Sequence, residues 1–281
     1  MSIELEIQDG FPNWWNSPDI WIVPGNDPAG SPGPPIAGQN AYLWGRVRNN
    51  GKTSANSAQV NFYWSNPATG VLRSNSTLIG SSFVSLDPGE IQEVLCLTPW
   101  IPIVVNDGHE CVVAEVIHVL DPLPSPLTDA FDPPTHKQIA QRNLSVLLMD
   151  MLMIVMPIQL SAPAREKKTF EIKVELGNEI NPKALLQLGI SNKEYCKEPM
   201  VKVALSLDKE CERVDAEKNC TNLKVNLMPG TSKAVYLKVD PVNLKQGKYS
   251  PINVIAREGG NIVGGITYVA IQSKKGGKYH G

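Results

Sequence analysis

The sequence predicts an all-β protein built from two tandem β-sandwiches. The first observation is the high content of turn-forming residues, since 22 glycines and 23 prolines among 281 residues are typical of many short strands joined by turns. The second is a run over residues 45–64 with the pattern of a strand, a tight turn and a second strand. The third is a division of the chain into two halves of different composition. Hydrophobic residues make up 42% of the chain, enough for packed cores.

The two halves differ in charge and in tryptophan content. Residues 1–150 hold 15 acidic and 6 basic side chains, a net charge of −9, whereas residues 151–281 hold 13 acidic and 20 basic, a net charge of +7. All six tryptophans lie in the first half. We therefore expect domains at residues 1–148 and 149–281, with a stiff junction around residues 145–160. The charge split indicates either two unrelated modules or an acidic face that attracts the basic face of another copy.

Alternation of apolar and polar residues predicts the strands of the N-terminal half. In the strand over residues 39–48, Tyr42 and Trp44 share one face. The Asn-Asn-Gly turn at residues 49–51 contains residues that tolerate positive φ, which a sharp reversal requires. The other predicted strands cover residues 18–23, 59–64, 78–86, 91–97, 111–120 and 139–148.

The C-terminal half has the same strand pattern and one short helix. Residues 168–176 alternate well, with Phe170 and Ile172 on the inward face. Asn181 followed by proline, then an apolar run ending before Gly189, predicts a capped helix. The remaining predicted strands cover residues 200–207, 222–227, 233–239, 249–257 and 262–272.

One set of turn and core residues in the N-terminal half follows a specific spacing: Val47, Asn49, Gly51, Ala55, Val60, Phe62, Tyr63, Ile79, Gly80, Leu86, Pro88 and Gly89. This spacing resembles the CARDB family of bacterial and archaeal immunoglobulin-like modules associated with cell adhesion, over roughly residues 18–146. The C-terminal half resembles bacterial immunoglobulin-like domains generically, through its turns at residues 227–231 and 247–249. The resemblance implies two tandem immunoglobulin-like β-sandwiches whose matching residues shape turns and core.

No motif in the sequence identifies a reaction. The chain lacks the nucleophile elbow, the zinc-protease helix, the phosphate-binding loop and the dinucleotide fingerprint. We therefore expect no enzyme, no catalytic residues, no cofactor and no metal. The predicted function is a non-enzymatic protein-binding or structural module that assembles with itself or with a partner protein.

Two clusters of polar residues are candidates for a metal site or a binding site. His109 shares a predicted strand face with Cys111 and Glu115, a set with ligand chemistry that lacks a second ligand pair nearby. The run from His136 to Asn143 is rich in amide and basic side chains. We interpret it as a structural latch of hydrogen bonds rather than a binding site.

Aromatic side chains are the candidate binding residues. Trp14 and Trp15 are adjacent near the N-terminus, in an aromatic segment over residues 11–15, and are expected to dock on their own domain or on a partner. Tyr42 and Trp44, with Tyr63 on the next strand, are the candidate platform for sugar rings. A carbohydrate-binding module is therefore the alternative function, with a glycan as partner.

Five cysteines cannot all pair within one chain. Cys211 and Cys220 flank a loop between two predicted strands, so a hairpin brings them within bonding distance in an oxidising compartment. Free thiols, or a metal site that includes Cys196, are the alternatives. Cys96 and Cys111 are predicted to be small buried residues.

Partners and location are constrained by charge and hydropathy. Lysines of the C-terminal half are scattered among acidic residues, which argues against a nucleic-acid partner. The longest apolar run, over residues 144–158, is interrupted by polar residues and proline, so we expect no membrane span. No signal peptide is visible, and we expect a cytoplasmic protein, with export by a non-Sec route as the alternative.

Overall fold

The computed structural model describes residues 2–10, 12–66, 70–103, 111–125, 127–149, 152–209 and 220–273. The strands of the N-terminal half are β1 (Leu5–Glu6), β2 (Ile20–Pro24), β3 (Ala41–Asn49), β4 (Ala55–Ser65), β5 (Ser76–Leu86), β6 (Ile91–Leu95), β7 (Cys111–Ile117) and β8 (Ile139–Arg142), with a 3-10 turn at Arg73–Asn75. They form two antiparallel sheets. In one, β3 pairs with β1 and β2 along one edge and with β6 along the other; the other sheet has the order β5-β4-β7-β8.

The two N-terminal sheets pack face to face. Leu43 and Val47 of β3 are fully buried in one cluster with Val60 and Phe62 of β4. Gly45 permits the close approach, because a Cβ at that position would lie 3.3 Å from the Phe62 ring. The alternation along β3 therefore separates a core face from an outer face, as the sequence predicts.

The C-terminal half contains β9 (Leu144–Met149), β10 (Ile154–Ser161), β11 (Lys168–Leu176), α1 (Pro182–Gln187), β12 (Glu194–Tyr195), β13 (Val201–Ser206), β14 (Asn222–Leu227), β15 (Ser232–Pro241), β16 (Lys248–Glu258) and β17 (Asn261–Gln272). One sheet has the order β10-β15-β13 and the other the order β14-β11-β16-β17-β9, with β12 added to β16. A second buried cluster fills the space between these sheets. The fold class predicted from the sequence, all-β with two tandem immunoglobulin-like sandwiches, is confirmed.

The chain passes from one sandwich to the other at Asn143. The single strand predicted over residues 139–148 is wrong, because β8 lies in an N-terminal sheet while β9 pairs in parallel with β17. The change of sheet therefore lies just before the junction expected around residues 145–160. The domain boundary at residue 148 stays a prediction.

The predicted helix is confirmed together with its cap. The Asn181 side chain accepts a hydrogen bond from the Lys183 backbone at 2.9 Å, and proline occupies the first turn. Its buried residues pack with Leu144 and Val269 against the outer face of the larger sheet. Among the described residues, no helix is long and apolar enough to cross a bilayer.

The turn at residues 49–51 is explained by contact rather than by positive φ, since neither asparagine nor Gly51 has a positive φ. The Asn49 side chain accepts from the Gly51 backbone at 3.0 Å and donates to the carbonyls of Thr53 and Leu86 at 2.9 and 3.2 Å. Gly51 is needed because a Cβ there would lie 2.3 Å from the Ser2 carbonyl oxygen. The motif therefore ties the N-terminal segment to the sandwich.

Replacing Asn49 with alanine is expected to lower the free energy of unfolding by about 2–3 kcal/mol, because buried backbone groups lose their partners. Urea unfolding followed by circular dichroism measures the change. The matched control is Asn50→Ala, since Asn50 is exposed and a surface change is expected to stay within about 0.5 kcal/mol. Equal stability of the two variants would contradict this assignment.

Candidate functional site

A tight loop in the N-terminal segment reaches from the first sandwich to the second. Asn16 donates its backbone N–H to the Asn13 carbonyl at 2.9 Å, and Gly10 donates to the Trp14 carbonyl at 3.3 Å. Only glycine fits at residue 10, because a Cβ there would lie 2.2 Å from the Asn13 carbonyl oxygen. The loop presents Trp15 to the C-terminal sandwich.

Trp15 is buried against β17. Its indole Nε1 donates to Thr267 Oγ1 at 3.1 Å, and a Cβ on Gly265 would lie 2.4 Å from its ring. Trp14 is half-buried and meets Trp15 edge to face, with ring centroids 5.7 Å apart. Docking on its own domain or on a partner is expected from the sequence; Trp15 instead docks on the opposite sandwich of the same chain. Phe11, in the same aromatic segment, lies outside the described residues.

Asn143 connects both sandwiches through three hydrogen bonds. Its backbone N–H donates to the Trp15 carbonyl at 2.7 Å, and its carbonyl accepts from the Thr267 backbone at 2.9 Å. Its side-chain Nδ2 donates to the Gly265 carbonyl at 2.8 Å. Asn143 is fully buried, so these bonds form without competition from water.

Arg142 adds a buried cation to the same contact. Its Nη1 donates to the carbonyls of Ser17 and Ile20 at 3.3 and 3.0 Å, and to Gln187 Oε1 at 2.7 Å. Among the described residues, no carboxylate pairs with Arg142. Burial lowers the pKa of its guanidinium to about 10, which leaves it charged at neutral pH. The predicted latch is confirmed at Arg142 and Asn143.

A second charged contact crosses the junction beside Arg142. Asp19 is fully buried and pairs with Arg46 at 3.2 Å and with Arg48 in its own sandwich. Lys183 of α1 reaches the same carboxylate from the other sandwich at 3.2 Å. Three cations around one buried carboxylate compensate its loss of hydration. We call the contacts of Trp15, Asn143, Arg142 and Asp19 the junction latch.

A cleft of about 350 Å³ opens beside the latch. Its described lining comes from the N-terminal loop, from residues 175–184 and from the outer face of β16 and β17. Asn253 on its floor accepts hydrogen bonds from the Thr267 hydroxyl at 2.8 Å and from Asn13 Nδ2 at 3.3 Å. The described lining includes no histidine, cysteine or serine, and it offers amides, prolines, aliphatic side chains and charges of both signs.

The aromatic residues proposed as a sugar platform lie on two sheets. Tyr42 and Trp44 occupy the outer face of β3, where the Trp44 ring stacks on Trp21 at 5.9 Å. Tyr63 lies on β4 in the opposite sheet and packs against Phe131 at 5.1 Å. The three rings therefore do not form one platform.

The described members of the possible metal set are engaged elsewhere. Glu115 is buried, pairs with Arg73 at 2.5 Å and accepts from the Tyr63 hydroxyl at 3.4 Å. Burial raises the pKa of the Cys111 thiol, while His109 lies outside the described residues. Within the described part of the chain, no three His, Cys, Asp or Glu side chains are grouped to hold a metal ion.

The predicted disulfide stays a prediction. Cys220 is exposed at an isolated bridge to Leu205 of β13, and Cys211 lies outside the described residues. Cys96 and Cys111 are buried, as predicted.

One titratable group lies at the start of the docking loop. Burial, and then the neighbouring carboxylates of Glu6 and Asp132, raise the pKa of Asp9 to about 7. One carboxylate oxygen of Asp9 is buried without a hydrogen-bond partner among the described residues. The ionised form of Asp9 is therefore disfavoured in the folded protein.

Comparison with known proteins reaches only distant structures, since no protein-family model and no curated protein matches the chain. A CARDB domain from Pyrococcus furiosus, solved with di-metal ions, is 17% identical over 50% of this chain and 85% of that chain, with a TM-score of 0.28. A tip adhesin from Pseudomonas aeruginosa is 10% identical over 97% and 98%, with a TM-score of 0.26. A β-glucosidase from Kluyveromyces marxianus is 18% identical over 50% and 14%, with a TM-score of 0.24.

A CARDB domain is thus among the structures to which the chain is similar. TM-scores of 0.24 to 0.28 are too low to assign a site or an activity to this chain.

Replacing Gly265 with alanine is expected to displace the Trp15 ring and to lower the free energy of unfolding by about 1–3 kcal/mol, as overpacking does. Urea unfolding gives the stability, and a red shift of tryptophan emission reports the exposed indole. Gly70→Ala is the matched control, since its Cβ would meet nothing nearer than 3.8 Å. A Gly265→Ala variant as stable as the control would show that the ring is not held there.

Replacing Asp9 with asparagine is expected to stabilise the protein at alkaline pH. Because the pKa of Asp9 is raised in the folded state from 3.8 to about 7, its contribution is favourable at low pH and is lost as pH rises towards 7. Thermal unfolding from pH 4 to 9 should therefore show an advantage of Asp9→Asn over the wild type that grows from pH 4 to about 7 and then stays constant. The exposed control Asp208→Asn should run parallel to the wild type; a parallel Asp9→Asn curve would refute the assignment.

Proposed function

We propose that the chain is a non-enzymatic protein-binding module whose two sandwiches act as one body and whose binding site is the cleft beside the junction latch. The proposal is supported by the fact that both halves of the chain contribute walls to the cleft. One wall is the N-terminal loop, and the others are β16, β17 and the segment leading into α1. The site exists only when the two sandwiches are docked.

Docking by buried hydrogen bonds favours binding because it orders the site in advance. The loop carrying Asn13 and Asn16 is held through Trp15, and the floor residues Asn253 and Thr267 are held by hydrogen bonds. A site ordered before association avoids much of the entropy loss that binding otherwise requires. A flexible tandem of sandwiches would not offer this advantage.

The chemistry of the cleft supports a peptide segment as the ligand. Amide side chains recognise backbone N–H and C=O groups, and Pro12, Ile255 and Ile262 supply apolar contact. The described lining contains no aromatic ring on which a sugar could stack, and the rings of Trp21 and Trp44 stack on each other. Rim charges of both signs, from Glu179 and Arg257, favour a polar peptide without a strong net charge.

Selection from a phage-displayed library of random linear peptides tests the proposal. Peptides enriched on the wild-type protein are expected to bind an Ile262→Glu variant at least tenfold more weakly, because a charge enters the apolar wall of the cleft. Met228→Glu is the matched control, since Met228 is an exposed apolar residue outside the cleft lining. Circular dichroism verifies that both variants are folded.

Two outcomes would contradict the proposal. The first is a library selection that enriches no peptide on the wild-type protein. The second is a glycan-array signal that disappears in a Trp44→Ala variant and persists in Ile262→Glu, which would favour the carbohydrate-binding alternative.

A further inference from the structure

Among the described strands, β9 lies at an edge of the larger C-terminal sheet. The Asn143 carbonyl accepts a hydrogen bond from the Thr267 N–H, and the Met149 carbonyl accepts one from the Ser273 N–H, both at 2.9 Å. The backbone N–H and C=O groups of the odd-numbered residues in this segment therefore point towards β17. Because the two backbone groups of a residue in a parallel pair point the same way, those of Leu144, Val146 and Leu148 point away from β17. Among the described residues, β17 is the strand with which β9 pairs.

At two other edges, a hydrogen bond connects the edge strand to the facing sheet of the same sandwich. The Ser82 hydroxyl of β5 donates to the Leu95 carbonyl of β6. In the C-terminal half, the Leu205 backbone of β13 donates to the Cys220 carbonyl at 2.8 Å, just before β14 begins. The edge of β9 is therefore different from these edges.

The sequence of β9 carries none of the usual protection of an edge strand. Natural edges are commonly blunted by lysine, proline or a bulge. β9 has the sequence LSVLLM, without charge, proline or glycine, whereas Pro157 interrupts the edge of β10. An uncharged apolar edge of this length is a template for another strand.

Apart from Ser145, both faces of β9 are apolar, which determines what can pair with it. Leu147 and Met149 belong to the buried cluster between the two C-terminal sheets, while Leu144 and Val146 pack with the residues of α1. Leu148 is 41% exposed at the edge. A matching strand must be apolar on both faces, and β9 of a second copy meets that requirement when two copies are related by a two-fold axis.

We propose that two copies of the chain associate through antiparallel pairing of their β9 edges, which joins the two larger sheets into one. This surface lies outside the lining of the junction cleft apart from Leu144, and the inference does not rest on the proposed peptide binding. Leu148 of each copy covers apolar surface that is exposed in the monomer.

The charge of the C-terminal half gives this association a characteristic salt dependence. Residues 151–281 carry a net charge of +7, so pairing through β9 brings two basic halves together. Added salt screens the repulsion and strengthens the dimer. Head-to-tail attraction between an acidic and a basic half would instead weaken as salt is added.

Light scattering of the full chain after size exclusion, over a range of protein and salt concentrations, tests the proposal. The wild type is expected to approach the mass of a dimer, more completely at about 1 M than at about 0.1 M salt, where the Debye length is 10 Å. Leu148→Lys should weaken dimerisation at least tenfold by adding a charge to each edge. Val146→Pro should do the same by removing an edge N–H that does not bond to β17.

Met228→Lys is the matched control, because it places the same charge at another exposed apolar position and should dimerise like the wild type. Circular dichroism confirms that each variant is folded. A wild type that stays monomeric at every concentration would overturn the proposal. So would a dimer that persists in folded Leu148→Lys and Val146→Pro, or one that dissociates as salt rises.

Discussion

The arrangement of this protein depends on the hydrogen bonds of Asn143. A single residue separates β8 from β9, and its backbone and side chain join the Trp15 loop to β17. Buried polar groups are costly when unpaired, so a docking in which they are satisfied is favoured over alternatives that leave them without partners. Apolar contact alone is less directional. The position of the cleft follows from this contact.

Two buried charges reinforce the junction by different means. Asp19 is surrounded by cations, one of which, Lys183, comes from the opposite sandwich. Arg142 is held by carbonyl and amide oxygens, including that of Gln187 on α1. Burying ions contributes little net stability, but breaking such a contact leaves a charge without compensation. The latch therefore serves geometry more than stability, and any movement of one sandwich against the other must break several polar contacts together.

Local patterns of the sequence predict most strands and the helix, because alternation and the Asn181 cap depend on neighbouring residues. Contacts between distant residues are not predictable in this way. The need for glycine at residue 51 comes from Ser2, and Trp15 bonds to Thr267, 252 residues along the chain. The alternation over residues 139–148 does not reveal that Asn143 changes sheets. Tyr63 follows β3 closely in sequence but lies in the opposite sheet, so neighbouring strands did not make one platform.

The proposal that the junction latch holds the two sandwiches as one body is best tested by hydrogen exchange of the Trp15 indole N–H. This proton bonds to Thr267 and is buried between the sandwiches. If the latch opens only on global unfolding, the indole N–H should exchange as slowly as the most protected core amides of β16 and β17. Exchange faster by orders of magnitude, with those amides still protected, would show that the sandwiches separate in the folded protein and that the latch does not hold them together.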